Sequence, residues 1–352
     1  MPFLRLMAII LLLIVSILVF FLLVALIGGL LSTPPHTGPR SSNFNGRRFI
    51  NPSGVPAKGF DSVATYATKR VPDKWPKDLD QSVRQTPLTQ PQSDQIQYTF
   101  VNHSTFLIQH KGQNILTDPI WSKRCSPFQF MGPKRQRPPG LPFEMLPKID
   151  IVLLSHNHYD HMDKQTIKRL AKRDNPTFIV SLGNKVTVEK WVNSPIIELD
   201  WHQQTTIDQL TYTALPANHF SSRGTRDRNT SLWCGYLIAS ENRKINFVGD
   251  TGYSNVFKEI GETYGPFDLC LIPIGAYLPR WFMSPIHVAP EESVQLHFDL
   301  QSKKSVAMHF GTFKLADDNP ARSTRELKEA RIAANLSESD FHIPKEGESY
   351  LL

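Results

Sequence analysis

Ser155-His156-Asn157-His158-Tyr159-Asp160-His161 is the stretch on which the reading of this chain turns. It follows Ile149-Asp150-Ile151-Val152-Leu153-Leu154, a short apolar run that reads as a buried strand. His156 and His158 are two residues apart, so in an extended segment their rings project from the same side. Asp160 and His161 follow where the chain must turn. Three imidazoles and a carboxylate pack poorly at a strand end, but they are what two adjacent zinc-like ions require. Structural zinc is the competing reading. Such sites are closed and typically rich in cysteine, whereas Cys125, Cys234 and Cys270 are far apart and form no CxxC pair. They read as small buried residues.

Working outward, three more candidates sit just past apolar runs. His219 ends Leu215-Pro216-Ala217-Asn218-His219, Asp250 lies in Val248-Gly249-Asp250-Thr251-Gly252, and His309 ends Ser305-Val306-Ala307-Met308-His309. A lone strand-end histidine is usually structural or merely exposed; the HxHxDH spacing is what makes the group informative. The glycines around Asp250 would let the backbone pass close to a metal. Thr117-Asp118-Pro119 also places an aspartate after a strand, which hints at two related halves.

Strands are expected at 96–100, 105–109, 114–117, 149–154, 177–181, 211–216, 231–239, 244–249, 268–272 and 304–309, with a turn at 110–113. Helices are expected at 164–172, 185–192, 255–262, 290–299 and 322–333. Strands outnumber helices, which suggests an α+β fold: a four-layer αββα sandwich of two packed sheets with helices outside.

The N-terminus is distinct. From Leu6 to Leu31 there is no charge. As a helix this stretch would reach about 39 Å, beyond a hydrocarbon core of about 30 Å, and it exceeds the apolar region of a cleaved signal. The expected organisation is a single-pass transmembrane anchor at 6–31, a linker and irregular N-terminal arm rich in Pro, Asn, Ser and Gln at 32–95, and the catalytic domain at 96–352. Arg5 stands on one side of the span and Arg40, Arg47, Arg48 and Lys58 on the other, which favours a cytoplasmic catalytic domain. The net charge of +7 is spread without a Lys/Arg block, so nucleic acid is not an expected partner.

The HxHxDH run with the later His219, Asp250 and His309 resembles the metallo-β-lactamase superfamily. Further segments sharpen the resemblance: Met131-Gly132-Pro133-Lys134-Arg135, Gly249-Asp250-Thr251-Gly252-Tyr253, Gly265-Pro266-Phe267-Asp268, Ile272 to Tyr277, Pro279-Arg280-Trp281-Phe282-Met283, and His287-Val288 with Pro290-Glu291-Glu292. Together they look like the N-acyl-phosphatidylethanolamine phospholipase D branch. The transmembrane stretch departs from that branch's animal enzymes and puts localisation in question. The resemblance implies two zinc ions, one held by His156, His158 and His219 and one by Asp160, His161 and His309, with Asp250 bridging. It implies a metal-bridged hydroxide attacking a phosphodiester, catalytic roles for Asp160 and Asp250, and His287 near the substrate phosphate; the leaving oxygen needs a metal or a proton donor, and His287 is one candidate. Tyr159, Tyr277, Arg280, Trp281 and His287 are expected to bind substrate: the aromatic stretch 275–283 would line an acyl groove, or Arg280 would pair with a phosphate. The expected products are N-acylethanolamine and phosphatidic acid, and the expected partners are a phospholipid and the membrane, with a homodimer allowed. Imidazole and carboxylate ligands suit other divalent metals too. A lactonase or acyl-ester hydrolase on the same centre is the alternative, since this fold hosts many chemistries.

Overall fold

A computed structural model describes residues 2–77, 79, 91 and 94–352. Part of the expected arm, at 78, 80–90 and 92–93, lies outside the described residues. The strands are β1 (Gln97–Asn102), β2 (Thr105–His110), β3 (Gln113–Thr117), β4 (Ile151–Leu154), β5 (Thr177–Ser181), β6 (Ile196–Leu199), β7 (Gln204–Ile207), β8 (Leu210–Leu215), β9 (Gly235–Ala239), β10 (Lys244–Phe247), β11 (Leu269–Pro273), β12 (Ser305–Met308), β13 (Phe341–His342) and β14 (Ser349–Leu351). The helices are α1 (Pro2–Leu31), α2 (Phe60–Lys69), α3 (Lys164–Asp174), α4 (Lys185–Val188), α5 (Val256–Tyr264), α6 (Arg280–Met283), α7 (Pro290–Asp299) and α8 (Pro320–Ala333).

The strands form two seven-stranded sheets, ordered β14-β1-β2-β3-β4-β5-β6 and β13-β12-β11-β10-β9-β8-β7. Their side chains alternate between two cores, as a period of two requires. Tyr98, Phe100, Phe106, Ile108, Ile115, Ile151, Leu153 and Ile179 face the second sheet and meet Tyr212, Tyr236, Phe247 and Leu271. Val101, Leu107, Leu116, Val152, Leu154, Phe178 and Val180 face outward, where Ile167 and Leu170 of α3 and Val188 of α4 cover them. On the far side Val256, Phe257 and Ile260 of α5, Val294 and Leu296 of α7, and Leu327 of α8 pack against the second sheet. This is the four-layer αββα arrangement.

The halves echo each other. In each sheet antiparallel strands give way to parallel ones, β3 pairing parallel with β4 and β10 with β11. Asp118 follows β3 and Asp250 follows β10, so both aspartates leave a strand where a parallel neighbour begins.

Four short strands escape the sequence pattern. β6 and β7 are only partly buried edge strands, and β13 and β14 are two and three residues long. Residues 231–234, expected as the start of a strand, bridge the sheets instead: Leu232 N donates to Leu182 O and Cys234 N to Ser155 O. Nor is the segment after α1 wholly irregular. α2 lies within it, and Tyr66 stacks on Phe282 with ring centroids 4.7 Å apart. Within α1, the 27 residues Arg5–Leu31 contain an 18-residue window of mean hydropathy 3.5 and are long and apolar enough to cross a membrane.

Candidate metal centre

The rim where the two sheets meet collects donors from both. β4 ends in Leu154, and the extended residues 155–158 carry His156 and His158 into the seam. The following turn closes through His161 N and Met162 N on His158 O, which presents Asp160 and His161. His219 follows β8, Asp250 follows β10 and His309 follows β12. His309 takes a left-handed backbone, φ 58°, and its N–H donates to His103 O at 2.8 Å.

The donors fall into two neighbouring groups. His156 Nε2 approaches His158 Nδ1 at 2.8 Å, and His219 Nε2 lies 3.2 Å from the same atom. Beside them, Asp160 Oδ2 is 3.2 Å from His161 Nε2 and 3.6 Å from His309 Nε2. Asp250 Oδ2 stands between, 3.0 Å from His309 Nε2, 3.1 Å from His161 Nε2 and 3.8 Å from His219 Nε2. All seven expected donors are brought together.

The outer nitrogens of His161, His156 and His219 are held by protein groups, as is usual for metal-binding histidines, whereas His309 Nδ1 is buried without a hydrogen bond. His161 Nδ1 pairs with Asp118 Oδ2 at 2.6 Å, and Ser155 Oγ joins that same oxygen to His156 Nδ1. His219 Nδ1 donates to Ile286 O at 2.9 Å. The residue that sequence reasoning missed is His103. It sits in the β1–β2 turn with φ 49°, and its Nε2 donates to Asp160 Oδ2 at 2.9 Å. Burial, reinforced by His309, pushes its imidazole down to about 3, so it is neutral and fit to donate.

Three observations fit a pair of metal cations. Asp118, Asp160 and Asp250 are buried or nearly so, and among the described residues their close ionic partners are histidines alone, with no Lys or Arg. An isolated buried carboxylate is costly, and no permanently charged side chain offsets these three. Second, Asp250 Oδ1, His161 Nε2 and His309 Nε2 are buried without a hydrogen bond. Third, the local field is divided. Burial lowers His156 and His158 and neighbouring imidazoles add to it, holding both well below the usual range. Burial also acts on His161 and His309, but Asp250 and Asp160 override it, lifting His161 well above the usual range and His309 to about 9. Burial would raise Asp160 and Asp250, yet His161 holds both well below the ordinary carboxylate range. The carboxylate side attracts positive charge and the three-histidine side offers lone pairs.

The glycines beside Asp250 serve backbone contacts. Gly249 has φ 71°, and a Cβ there would lie 2.8 Å from Cys234 O; one on Gly252 would lie 2.5 Å from the Pro285 carbonyl carbon. The latter fit seats the loop that carries His287. That ring lies 5.1 Å from those of both His219 and His309, and its Nδ1 is buried without a partner.

A beta-lactamase superfamily domain matches residues 113–310. The chain belongs to that superfamily. This member is 38% identical over 270 residues to a Caenorhabditis elegans protein named N-acyl-phosphatidylethanolamine-hydrolyzing phospholipase D 1, covering 71% of this chain and 74% of the relative. It is 43% identical over 223 residues to an uncharacterised protein of Mycobacterium tuberculosis, covering 62% of this chain. It spans about three fifths of that relative's length, 59%. Among solved structures, a Veillonella parvula protein described as a possible metal-dependent hydrolase superposes with a TM-score of 0.59 at 18% identity, covering 73% of this chain and 99% of that one. The superfamily fold implies a divalent metal, and the donor groups described above are where this member would hold it.

The expected substrate residues are dispersed. Tyr159 lies between two of the donors, but its hydroxyl donates to Arg223 O and its ring lies under the Arg223 guanidinium, 4.0 Å away. Tyr277 is buried with its hydroxyl on Glu326. Arg280 donates to His287 O and Glu292 Oε2, both at 2.8 Å, so its charge is already paired. Trp281 is 46% exposed, edge-on to Phe282. Only His287 borders the donors directly. Beside Tyr159 a cleft of about 260 Å³ is walled by Lys164, Lys190, Trp191, Arg223 and the end of α1.

Proposed function

We propose that this chain is a membrane-anchored, zinc-dependent phosphodiesterase that hydrolyses N-acyl-phosphatidylethanolamine to N-acylethanolamine and phosphatidic acid. The observation that carries the reading is the pair of adjacent donor groups joined by Asp250. Relatedness to the C. elegans phospholipase supports the substrate class. His156, His158 and His219 would hold one zinc, and Asp160, His161 and His309 the other. Bound there, two zinc ions supply a nucleophile at neutral pH and offset charge on the phosphoryl oxygens.

The chain's own groups do the rest. His103 Nε2 and Asp118 Oδ2 fix Asp160 and His161 and so set the distance between the two halves of the site. His287 Nδ1 offers a hydrogen bond to a phosphoryl or leaving oxygen, beside the donors and shielded from water. Arg280 holds the His287 carbonyl, so we assign it to positioning that loop. α1 would hold the domain at the bilayer, with the hydrolase side cytoplasmic, and so raise the effective concentration of a lipid substrate.

The test is incubation of the full chain with vesicles containing N-acyl-phosphatidylethanolamine, with and without chelator, and product identification by mass. Phosphatidic acid and N-acylethanolamine, lost on chelation, are expected. Free fatty acid instead would favour the acyl-ester hydrolase, and diacylglycerol would also overturn the proposal.

A further inference from the structure

The segment that leaves α1 does not run free to the catalytic domain. Gly28 O accepts from Thr225 N at 3.1 Å. Ser32 Oγ accepts from Arg226 N at 3.1 Å, and Thr33 N donates to Asp227 Oδ2 at 2.7 Å. Backbone meets backbone here: a Cβ on Gly224 would lie 2.1 Å from Gly28 O. The loop it grips begins two residues after the ligand His219. Asp227, fully buried, organises that loop by accepting from Arg223 N and Gly224 N.

The contact extends into the HxHxDH stretch. Asn157, between His156 and His158, is fully buried. Its Nδ2 donates to Thr33 Oγ1 at 3.3 Å and Ser231 Oγ at 3.0 Å, and its Oδ1 accepts from Ser222 N at 2.9 Å. Its carbonyl accepts from Arg223 Nη1 at 2.7 Å. Every polar group that fixes Asn157 therefore comes from the end of α1 or from the 221–231 loop that α1 grips.

We propose that the end of α1 is a positioning element of the metal centre. Thr33, latched by Asp227, holds Asn157, and Asn157 sets the backbone from which His156 and His158 project. The helix is thus built into the site rather than tethered to it. This goes beyond the proposed reaction and does not depend on the substrate.

The test uses the full chain in detergent micelles, loaded with Zn²⁺ and challenged with rising chelator, with retained metal measured by elemental analysis. Thr33→Val should release metal at about tenfold lower chelator, the scale for groups that support ligands. Thr33→Ser, which keeps the hydroxyl, should behave as wild type, and Gly224→Val, which wedges the contact apart, should follow Thr33→Val. Retention in Thr33→Val indistinguishable from wild type overturns the proposal, as does equal loss in Thr33→Ser. Should the valine variants fail to fold, hydrogen exchange on the wild-type chain decides. Amides of Thr33, Thr225 and Arg226 protected like those of β4 support the latch, and free-chain exchange overturns it. Neither readout involves a phospholipid, so failure of lipid hydrolysis would leave this result standing.

Discussion

Asp250 is the residue on which the two donor groups depend, because its Oδ2 is within 3.1 Å of both His161 and His309 on one side and faces His219 on the other. Asp250→Asn keeps the shape and removes the charge. Activity should fall at least about a hundredfold and bound metal should drop, read by turnover and elemental analysis; unchanged metal content would remove Asp250 from the centre. His103→Ala should cost about 10–100-fold in metal affinity by freeing Asp160, with partial recovery in His103→Gln, which retains a donor. The two residues differed in legibility. Asp250 lies in a glycine-flanked segment past an apolar run, and His156 to His161 announce themselves by spacing. His103 stands alone in a turn, and its role comes from a left-handed backbone that aims the ring across the seam. Asp118 was visible only as an echo of Asp250. Arg280, Tyr277 and Tyr159 carried the right chemistry in the right segment, but their partners, Glu292, Glu326 and the Arg223 carbonyl, belong to tertiary contacts that no local pattern encodes.

At the scale of elements, β4 and β11 could be read from the chain because strands covered on both faces are continuously apolar. β6, β7, β13 and β14 could not, since short edge strands owe their existence to the neighbour they pair with. α2 hid in a polar, proline-rich stretch because its stability comes from docking: Tyr66 on Phe282, and Arg70 on Asp317 at 3.0 Å. Asp268 shows how one side chain joins elements. It accepts from Lys244 N at the start of β10 and pairs with Lys303 and Arg243. Burial would raise its carboxyl, but these groups hold it below the ordinary carboxylate range. A carboxylate depressed on folding contributes stability above its unfolded pKa and loses it as pH falls through the folded value. Asp268→Asn should therefore lower the urea midpoint at pH 7 by the equivalent of about 1–3 kcal/mol. The gap from wild type should close as pH falls below about 3.8. A gap constant with pH would refute the assignment.

At the scale of the molecule, the donors divide between the sheets. His156, His158, Asp160 and His161 extend from the first, and His219, Asp250 and His309 from the second. A bound metal pair would therefore cross-link the two halves, and removing it should weaken the whole fold. Chelation should lower the apparent Tm, with a loss of about 4 kcal/mol if free metal stands near a thousand times its Kd. Equal Tm values with and without metal would show that the halves hold without it. The sandwich itself was legible from the count and spacing of strands, whereas the docking of α1 was not, because Gly28 and Thr33 meet residues almost two hundred positions away. The division of ligands also has a consequence in time. In synthesis order α1 precedes the sandwich, and on the proposed reading it enters a bilayer while most of the sandwich is unmade. The first four donors follow, with only half a cage around them. Asp250 and His309 close it much later, once the second sheet has docked. On the same reading the chain meets the membrane before it can hold a metal pair, and metallation becomes the last step of maturation.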